Sequence, residues 1–256
     1  MLNYMKSEWY RISRGKEIYL FTGILCAIVV AANVLLCVMA ATPDFPYSTV
    51  RFSLSNLLSS LGVLFFVAGI LVWVLFADDR KDGTLKNAVA YGLSRCSLFV
   101  GKCVVSVAFG LASMVLVLAV YIGSAVLLLE GSTESVVWLL KGVAAALPFT
   151  VACVVLAVAA FATLSKPITA FWVWVFIVTI IPLVLNMIGL AVEPVAAVAS
   201  WMPTNFFMHE VAINQSGLAQ FLWDTPAGLA KCLISGFTGI AVFAAAGLWR
   251  ADKTEL

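Results

Sequence analysis

The sequence predicts an all-α integral membrane protein with six transmembrane helices, and three observations support this fold class. Of the 256 residues, 63% are hydrophobic and only 11% are charged, with a mean hydropathy of +1.08. Soluble domains usually contain about 45 to 50% apolar and about 25% charged residues. Six apolar stretches also reach the roughly 18 to 20 residues that a helix needs to cross the hydrocarbon core. As delimited, none of the six contains Asp, Glu, Lys, Arg or His.

The six stretches are predicted to be helices because backbone groups in lipid must be hydrogen-bonded within the segment. Strands of a β-barrel would be about half as long and would alternate in polarity. The predicted spans are 18–41, 54–77, 103–129, 142–164, 168–192 and 232–249. The first apolar run exceeds the usual signal-peptide core of about 7 to 15 residues, so we expect a retained span rather than a cleaved leader.

Lys and Arg are distributed unequally between the two sides of these spans, which predicts the orientation of the chain. One side carries twelve: Lys6, Arg11, Arg14, Lys16, Arg80, Lys81, Lys86, Arg95, Lys102, Lys166, Arg250 and Lys253. The other side carries only Arg51, Lys141 and Lys231. Because basic residues are enriched on the cytoplasmic side, both termini and residues 78–102 are predicted to be cytoplasmic.

Residues 1–17 are predicted to form a short interfacial, or elbow, helix before the first span. Leu2, Met5, Trp9 and Ile12 share one helical face, and basic residues flank it. This pattern is typical of a helix lying among lipid headgroups. The alternative is a disordered basic tail that only satisfies the charge asymmetry.

The outer connection before the last span, residues 193–231, is long but remains apolar. It includes Trp201, Phe206 and Phe207, which a free aqueous loop would not carry so close together. We predict one or two short re-entrant helices there; a collapsed loop that caps the bundle is the alternative. The six cysteines lie within spans or at membrane edges, so free thiols are expected rather than a disulfide framework.

Two fragments resemble catalytic or nucleotide-binding motifs but lack their essential residues. The stretch HEVAIN begins like the zinc-binding H-E-x-x-H, yet position 213 is Ile and His209 is the only histidine. The stretch CSLFVGKC has Cys96 and Cys103 where a phosphate-binding loop needs Gly and Ser or Thr. We therefore expect no catalytic residue, no metal site and no ATPase site in this chain.

The predicted spans also lack the ionisable groups that ion-coupled carriers place within the membrane. Asn33 and Asn186 are polar positions within the spans and are the candidates for lining a translocation path. Packing through interhelical hydrogen bonds is the alternative role for such residues.

The polar stretch between the second and third spans, residues 78–102, carries mixed charges and the pattern of a turn followed by a short helix. Gly83 permits the turn, and the Thr84 hydroxyl is suited to cap a helix over LKNAVAYGL. Leu85, Val89 and Leu93 would share one face of that helix. Such a projection is typical of a segment that docks on a partner, although a loop that merely satisfies membrane-edge charge rules is the alternative.

The stretch FADDRKDGTLKNAVAYGLSRCSLFVGK resembles the cytoplasmic motif of ABC-2 type transporter permeases, most closely that of bacterial bacitracin and lantibiotic immunity permeases. Asp79 stands where the usual pattern has Glu. The matching residues are Gly83, Thr84, Leu85, Lys86, Asn87, Tyr91, Gly92, Arg95 and Lys102.

The resemblance implies a permease subunit of an ABC exporter in the bacterial cytoplasmic membrane. Its partners would be two cytoplasmic ATPase subunits, which bind ATP and Mg²⁺, and a second permease, identical or related. Residues Asp79, Gly83–Asn87, Tyr91 and Arg95 would couple it to the ATPase, and no nucleic-acid partner is expected. The substrate would be amphipathic, with an antimicrobial peptide as the expected example. A secondary carrier and a non-transporting structural subunit are the alternative functions.

Overall fold

The computed structural model describes residues 2–42, 45, 47–76, 89, 92–164, 166–209, 211–213 and 219–253. Across these residues the fold is a helical bundle with one small β-hairpin, which confirms the predicted all-α membrane class. The helices are α1 Leu2–Arg14, α2 Lys16–Met39, α3 Val50–Leu58, α4 Gly62–Phe76, α5 Arg95–Leu128, α6 Glu134–Thr163, α7 Pro167–Val175, α8 Ile181–Gly189, α9 Glu193–Ser200, α10 Pro203–His209 and α11 Pro226–Lys253.

Within the described part of the chain, five helical segments are long and apolar enough to cross a membrane: α2, α5, α6, the continuous α7–α8 unit and α11. The pair α3 and α4 is bent by 67° and supplies a sixth span when counted as one broken helix. The sequence predicts an uninterrupted span over 54–77. The break falls at residues 59–61, where the Ser59 hydroxyl donates to the Ser55 carbonyl at 2.9 Å. Such serine back-bonding often bends helices, because it competes with the backbone ladder.

Helix α6 forms the centre of the bundle and is the most extensively buried of the spans. It contacts α11 through glycines: a Cβ at Gly236 would lie 2.5 Å from Pro148, and one at Gly239 would lie 3.1 Å from Ala152. Small residues let membrane helices approach closely and gain van der Waals contact.

On another side of α6, Trp174 of α7 is fully buried. Its indole Nε1 donates to the Cys153 carbonyl of α6 at 3.0 Å. The ring also lies against Gly69 of α4, where a Cβ would come within 2.6 Å. Trp174 therefore joins three helices at one point of the core.

The fifth span is interrupted by a π-helical turn, Phe176–Ile180, just before Pro182. Proline has no N–H to donate, so the carbonyl of Val178, four residues earlier, lacks its helical partner. Thr204 of α10 supplies the missing donor, with its hydroxyl 2.6 Å from that carbonyl. Asn205 donates to the Pro182 carbonyl at 2.9 Å. The outer helix α10 is thus hydrogen-bonded to the irregular part of the fifth span.

The outer connection contains α9 and α10, which are short helices of the predicted kind. It also contains a feature that the sequence did not lead us to expect. Strands β1 Val211–Ile213 and β2 Ala219–Phe221 form an antiparallel pair in which Val211 is opposite Phe221. A 3₁₀ turn, Leu222–Asp224, then leads into α11.

Candidate functional site

The candidate site is the junction where α1 meets the ends of α4 and α5, which flank the predicted coupling segment. Helix α1 lies along the first turns of α5. A Cβ at Gly101 would lie 3.0 Å from the Tyr4 ring, and the rings of Trp9 and Phe109 are 4.7 Å apart between centroids. The N-terminal helix is therefore packed on the third span. Of the apolar face predicted for it, Ile12 is buried, whereas Leu2 and Trp9 are 72% and 51% exposed.

A buried carboxylate, Glu8, lies at the centre of this junction and is only 8% exposed. The Tyr4 hydroxyl donates to Glu8 Oε1 at 2.7 Å. Arg11 donates to Oε2 through both Nη2 at 2.7 Å and Nε at 3.0 Å. Hydrogen bonds to charged groups are shorter and stronger than neutral ones, so these bonds stabilise the helical turns on either side of Glu8.

The ionised state of Glu8 is favoured despite its burial. Desolvation alone would raise the pKa of the carboxyl group. The charges of Lys102 and Arg11, together with hydrogen bonds from Tyr4 and Arg11, outweigh that effect and hold the pKa below its ordinary value. Glu8 is therefore a carboxylate at neutral pH and attracts a cation on the third span.

Lys102 of α5 is 4% exposed, and its Nζ lies 3.9 Å from the centroid of the Phe76 ring. Arg11 approaches the same ring, with Cζ at 5.6 Å from the centroid. A cation near an aromatic face is attracted by the ring quadrupole, more strongly when it is desolvated. Phe76 is the last residue of α4, so α1, α4 and α5 meet at this ring.

Beyond Phe76 the chain enters the predicted coupling segment and returns at the start of α5. Gly92 has φ +86°, a conformation that glycine adopts without steric cost. The Ser94 hydroxyl then accepts from the backbone N–H of Ser97 at 3.2 Å and caps α5, whose first residue is Arg95. The remaining predicted coupling residues lie outside the described residues: Asp79, Gly83, Thr84, Leu85, Lys86, Asn87 and Tyr91.

The two predicted path residues occupy different environments. Asn33 is 0% exposed, and its Nδ2 donates to the Tyr121 carbonyl at 3.1 Å and to Ser124 Oγ at 2.8 Å. Its Oδ1 accepts from the Ser53 hydroxyl at 2.6 Å. Asn186 of α8 is half-buried. The structure thus gives Asn33 a hydrogen-bonding role among α2, α3 and α5, while the path role of both residues stays a prediction.

Sequence reasoning missed Glu8, because it weighed the basic residues of α1 and its apolar face alone. A local signal was present. Tyr4 precedes Glu8 by four residues and Arg11 follows it by three, and both spacings bring side chains together on a helix. The contribution of Lys102, 94 positions further along the chain, has no local signal.

Comparison with known families provides an independent assignment. The family model described as ABC-2 family transporter protein matches residues 4–193, which includes α1 from its third residue, the junction around Glu8 and the first five spans. No curated protein and no solved structure matches the chain significantly.

Proposed function

The chain belongs to the ABC-2 transporter family and is a membrane permease component of an ABC transporter, and from this premise we propose that it is the permease of an exporter. ATP hydrolysis on two separate cytoplasmic ATPase subunits would drive the outward movement, or the removal from the membrane, of an amphipathic substrate. ATP and Mg²⁺ would be bound by those subunits rather than by this chain. The substrate that we propose is an antimicrobial peptide, with bacterial resistance or self-immunity as the role.

The observation that carries the proposal is the combination of the family match with the motif between the second and third spans. Asp79, Gly83–Asn87, Tyr91 and Arg95 stand in the order of the permease coupling motif. We propose that the helix around residues 83–93 docks on the ATPase. Binding energy that differs between the two states of the ATPase is what can drive a conformational switch.

The junction around Glu8 supports a mechanical role for this segment. The two ends of the coupling segment continue directly into α4 and α5. Helix α4 contacts α1 through Phe76, and α5 contacts it through Lys102. A displacement of the segment would therefore reach the second span, the third span and the interfacial helix together. A second permease, identical or related, would complete the translocation path, with Asn33 and Asn186 as the proposed polar positions along it.

The test is a purification of the full-length chain from its native membrane in mild detergent, followed by mass spectrometry and an ATPase assay. We expect an ABC ATPase to co-purify, with activity stimulated by the substrate. Asp79→Lys and Gly83→Val should reduce the stimulated activity while membrane insertion is retained. Asp252→Lys and Gly123→Val are matched controls, because Asp252 is an exposed carboxylate at the end of α11 and a Cβ at Gly123 meets open space.

Recovery of the chain without an ATPase, even under gentler extraction, would favour a secondary carrier or a structural subunit instead. Unchanged activity in both coupling variants would remove the assignment of residues 79–95. The substrate is tested separately by comparing the susceptibility of cells with and without the chain to bacitracin and to a lantibiotic. Equal susceptibility to both would contradict the peptide-resistance role without affecting the permease assignment.

A further inference from the structure

Helices α2 and α5 are hydrogen-bonded to each other at two separate levels of the membrane. At the first level, the hydroxyls of Thr22 and Ser113 are 2.9 Å apart. At the second, Asn33 donates to Tyr121 and Ser124. Thr22 precedes Asn33 by eleven residues, and Ser113 precedes Ser124 by the same number. At about 1.5 Å per residue, the two levels are about 16 Å apart.

Between these two levels the helices enclose a cavity of ≈ 210 Å³. Leu25, Ile28 and Val29 of α2 and Met114, Val117 and Leu118 of α5 line it. Residues of α3, α4 and α6 form the remaining walls, and the cavity continues past Ser113 towards the start of α5. The cavity therefore lies within the predicted hydrocarbon layer and is elongated along the helices.

The polar side chains of this lining are already hydrogen-bonded within the protein. Ser113 pairs with Thr22, and the Tyr121 hydroxyl donates to the Ser53 carbonyl at 2.6 Å. The Thr150 hydroxyl donates to the Ala146 carbonyl at 3.0 Å. The other lining residues are apolar or glycine. A polar ligand would consequently find little to replace its hydration, whereas a hydrocarbon chain would lose nothing on entering.

The cavity is open on the side formed by α2 and α4. Ile28 of α2 and Val63 of α4 both line it and are 58% and 44% exposed. Both residues belong to segments assigned to membrane spans, so the opening between them faces the apolar layer. Water would not be stably bound in such a space, because a buried water molecule needs about two to four polar hydrogen-bond partners.

We propose that this cavity holds one acyl chain of a membrane phospholipid. Protein interiors are close-packed, and the side chains that line an empty apolar space of this size lack van der Waals contacts on that side. Its lining runs from Phe21 to Val29 on α2 and from Val107 to Tyr121 on α5, which is about 12 Å and about 21 Å of helix. These lengths are comparable with half of the roughly 30 Å hydrocarbon core, the depth that the acyl chains of one leaflet occupy. The lipid fills the gap between α2 and α4 that the two polar contacts to α5 leave open.

The proposal is tested with the full chain in vesicles of phosphatidylethanolamine and phosphatidylglycerol that contain a phosphatidylglycerol with a diazirine in one acyl chain. The protein is transferred to detergent, washed free of exchangeable lipid, irradiated and mapped by mass spectrometry. We expect retained label on residues 63–71 and 107–121. Val117→Phe, which fills the cavity, should lower the retained label about tenfold. Val115→Phe is the matched control, because Val115 lies on the same helix but is exposed and does not line the cavity.

Val67→Phe, on the α4 wall of the cavity, carries the same expectation and replaces Val117→Phe if that variant is not recovered as folded protein. Label distributed equally over the exposed faces of the spans, and unaffected by the filling variants, would overturn the proposal. Label that disappears when the ATPase complex turns over ATP would assign the cavity to transported cargo and would overturn a resident lipid. The exporter proposal does not depend on either result.

Discussion

Replacing Asn33 by Ala removes three hydrogen bonds from a site with no solvent access. The lost partners are the Tyr121 carbonyl, Ser124 Oγ and the Ser53 hydroxyl, at 3.1, 2.8 and 2.6 Å. Interhelical hydrogen bonds in membrane proteins contribute about 0.6 kcal/mol on average and about 1.7 kcal/mol at most. We therefore expect Asn33→Ala to lower the free energy of unfolding by about 2 kcal/mol, with a further loss from the small cavity that remains.

The assay is equilibrium unfolding of the purified chain in mixed micelles with increasing dodecyl sulfate, followed by circular dichroism. Asn186→Ala is the control, because Asn186 is half-buried on α8 and its loss leaves this hydrogen-bonded group intact. We expect the control to unfold within about 0.5 kcal/mol of the parent chain.

An Asn33→Ala variant as stable as the parent would refute the reasoning. If that variant also lost transport, Asn33 would act on the substrate rather than on helix packing. A loss of stability, with transport by the folded fraction preserved, would instead make Asn33 a residue that holds α2 to α3 and α5.

Two further substitutions test the core and the junction. Gly69→Ala should lower the free energy of unfolding by about 1 to 3 kcal/mol, because its Cβ would lie 2.6 Å from the ring of Trp174. Gly123→Ala, which meets open space, should instead be neutral or stabilising by up to about 1 kcal/mol in the same unfolding assay. Glu8→Gln should loosen α1 and accelerate tryptic cleavage within residues 2–14, whereas Glu17→Gln, at an exposed position, should not. Because the pKa of Glu8 is lowered in the folded state, the stabilisation from this carboxylate is present above pH 4.5, its ordinary pKa, and is lost as the pH falls through the lowered folded-state pKa. We therefore expect the parent chain and Glu8→Gln to differ in cleavage by trypsin at pH 7 and to differ less in cleavage by pepsin at pH 3. Equal cleavage of the parent and Glu8→Gln at pH 7 would contradict the anchoring role of this carboxylate.

The helical class and the approximate positions of the spans follow from hydropathy, because an apolar run in lipid has few structural choices. The ends of the helices do not follow from it. Helix α5 begins at Arg95, eight residues before the start of the predicted span at 103, because Ser94 caps it and α1 covers its first turns. Hydropathy cannot register either interaction.

The broken second span shows a different limit. Ser59 and Ser60 lie within an apolar run that is long enough to continue, so periodicity and length both favour one helix. The bend appears where Gly62 lies against Met208 of α10, and a Cβ there would come within 2.8 Å of its side chain. The bend thus coincides with a contact to Met208, almost 150 positions further along the chain, and the local sequence does not predict it.

The candidate site was predictable to a similar degree. The motif from Asp79 to Arg95 indicated the family, and the family match over residues 4–193 confirmed that coarse assignment. The buried pairing of Glu8 with Arg11, and its attraction to Lys102, depend on how α1 lies on α5. Charge counting places these residues on one side of the membrane but does not show that they meet.

The contact of α10 with the fifth span limits which parts of the protein can separate during a transport cycle. Moving α10 away from that span would separate the Thr204 hydroxyl from the Val178 carbonyl, which has no i+4 N–H donor because residue 182 is proline, and would leave both groups unpaired in an apolar layer. It would also break the hydrogen bond from Asn205 to the Pro182 carbonyl. Each unsatisfied group there costs several kcal/mol. The outer segment around α10 should therefore travel with α7 and α8 as one rigid unit, so that a passage opens along other helix boundaries.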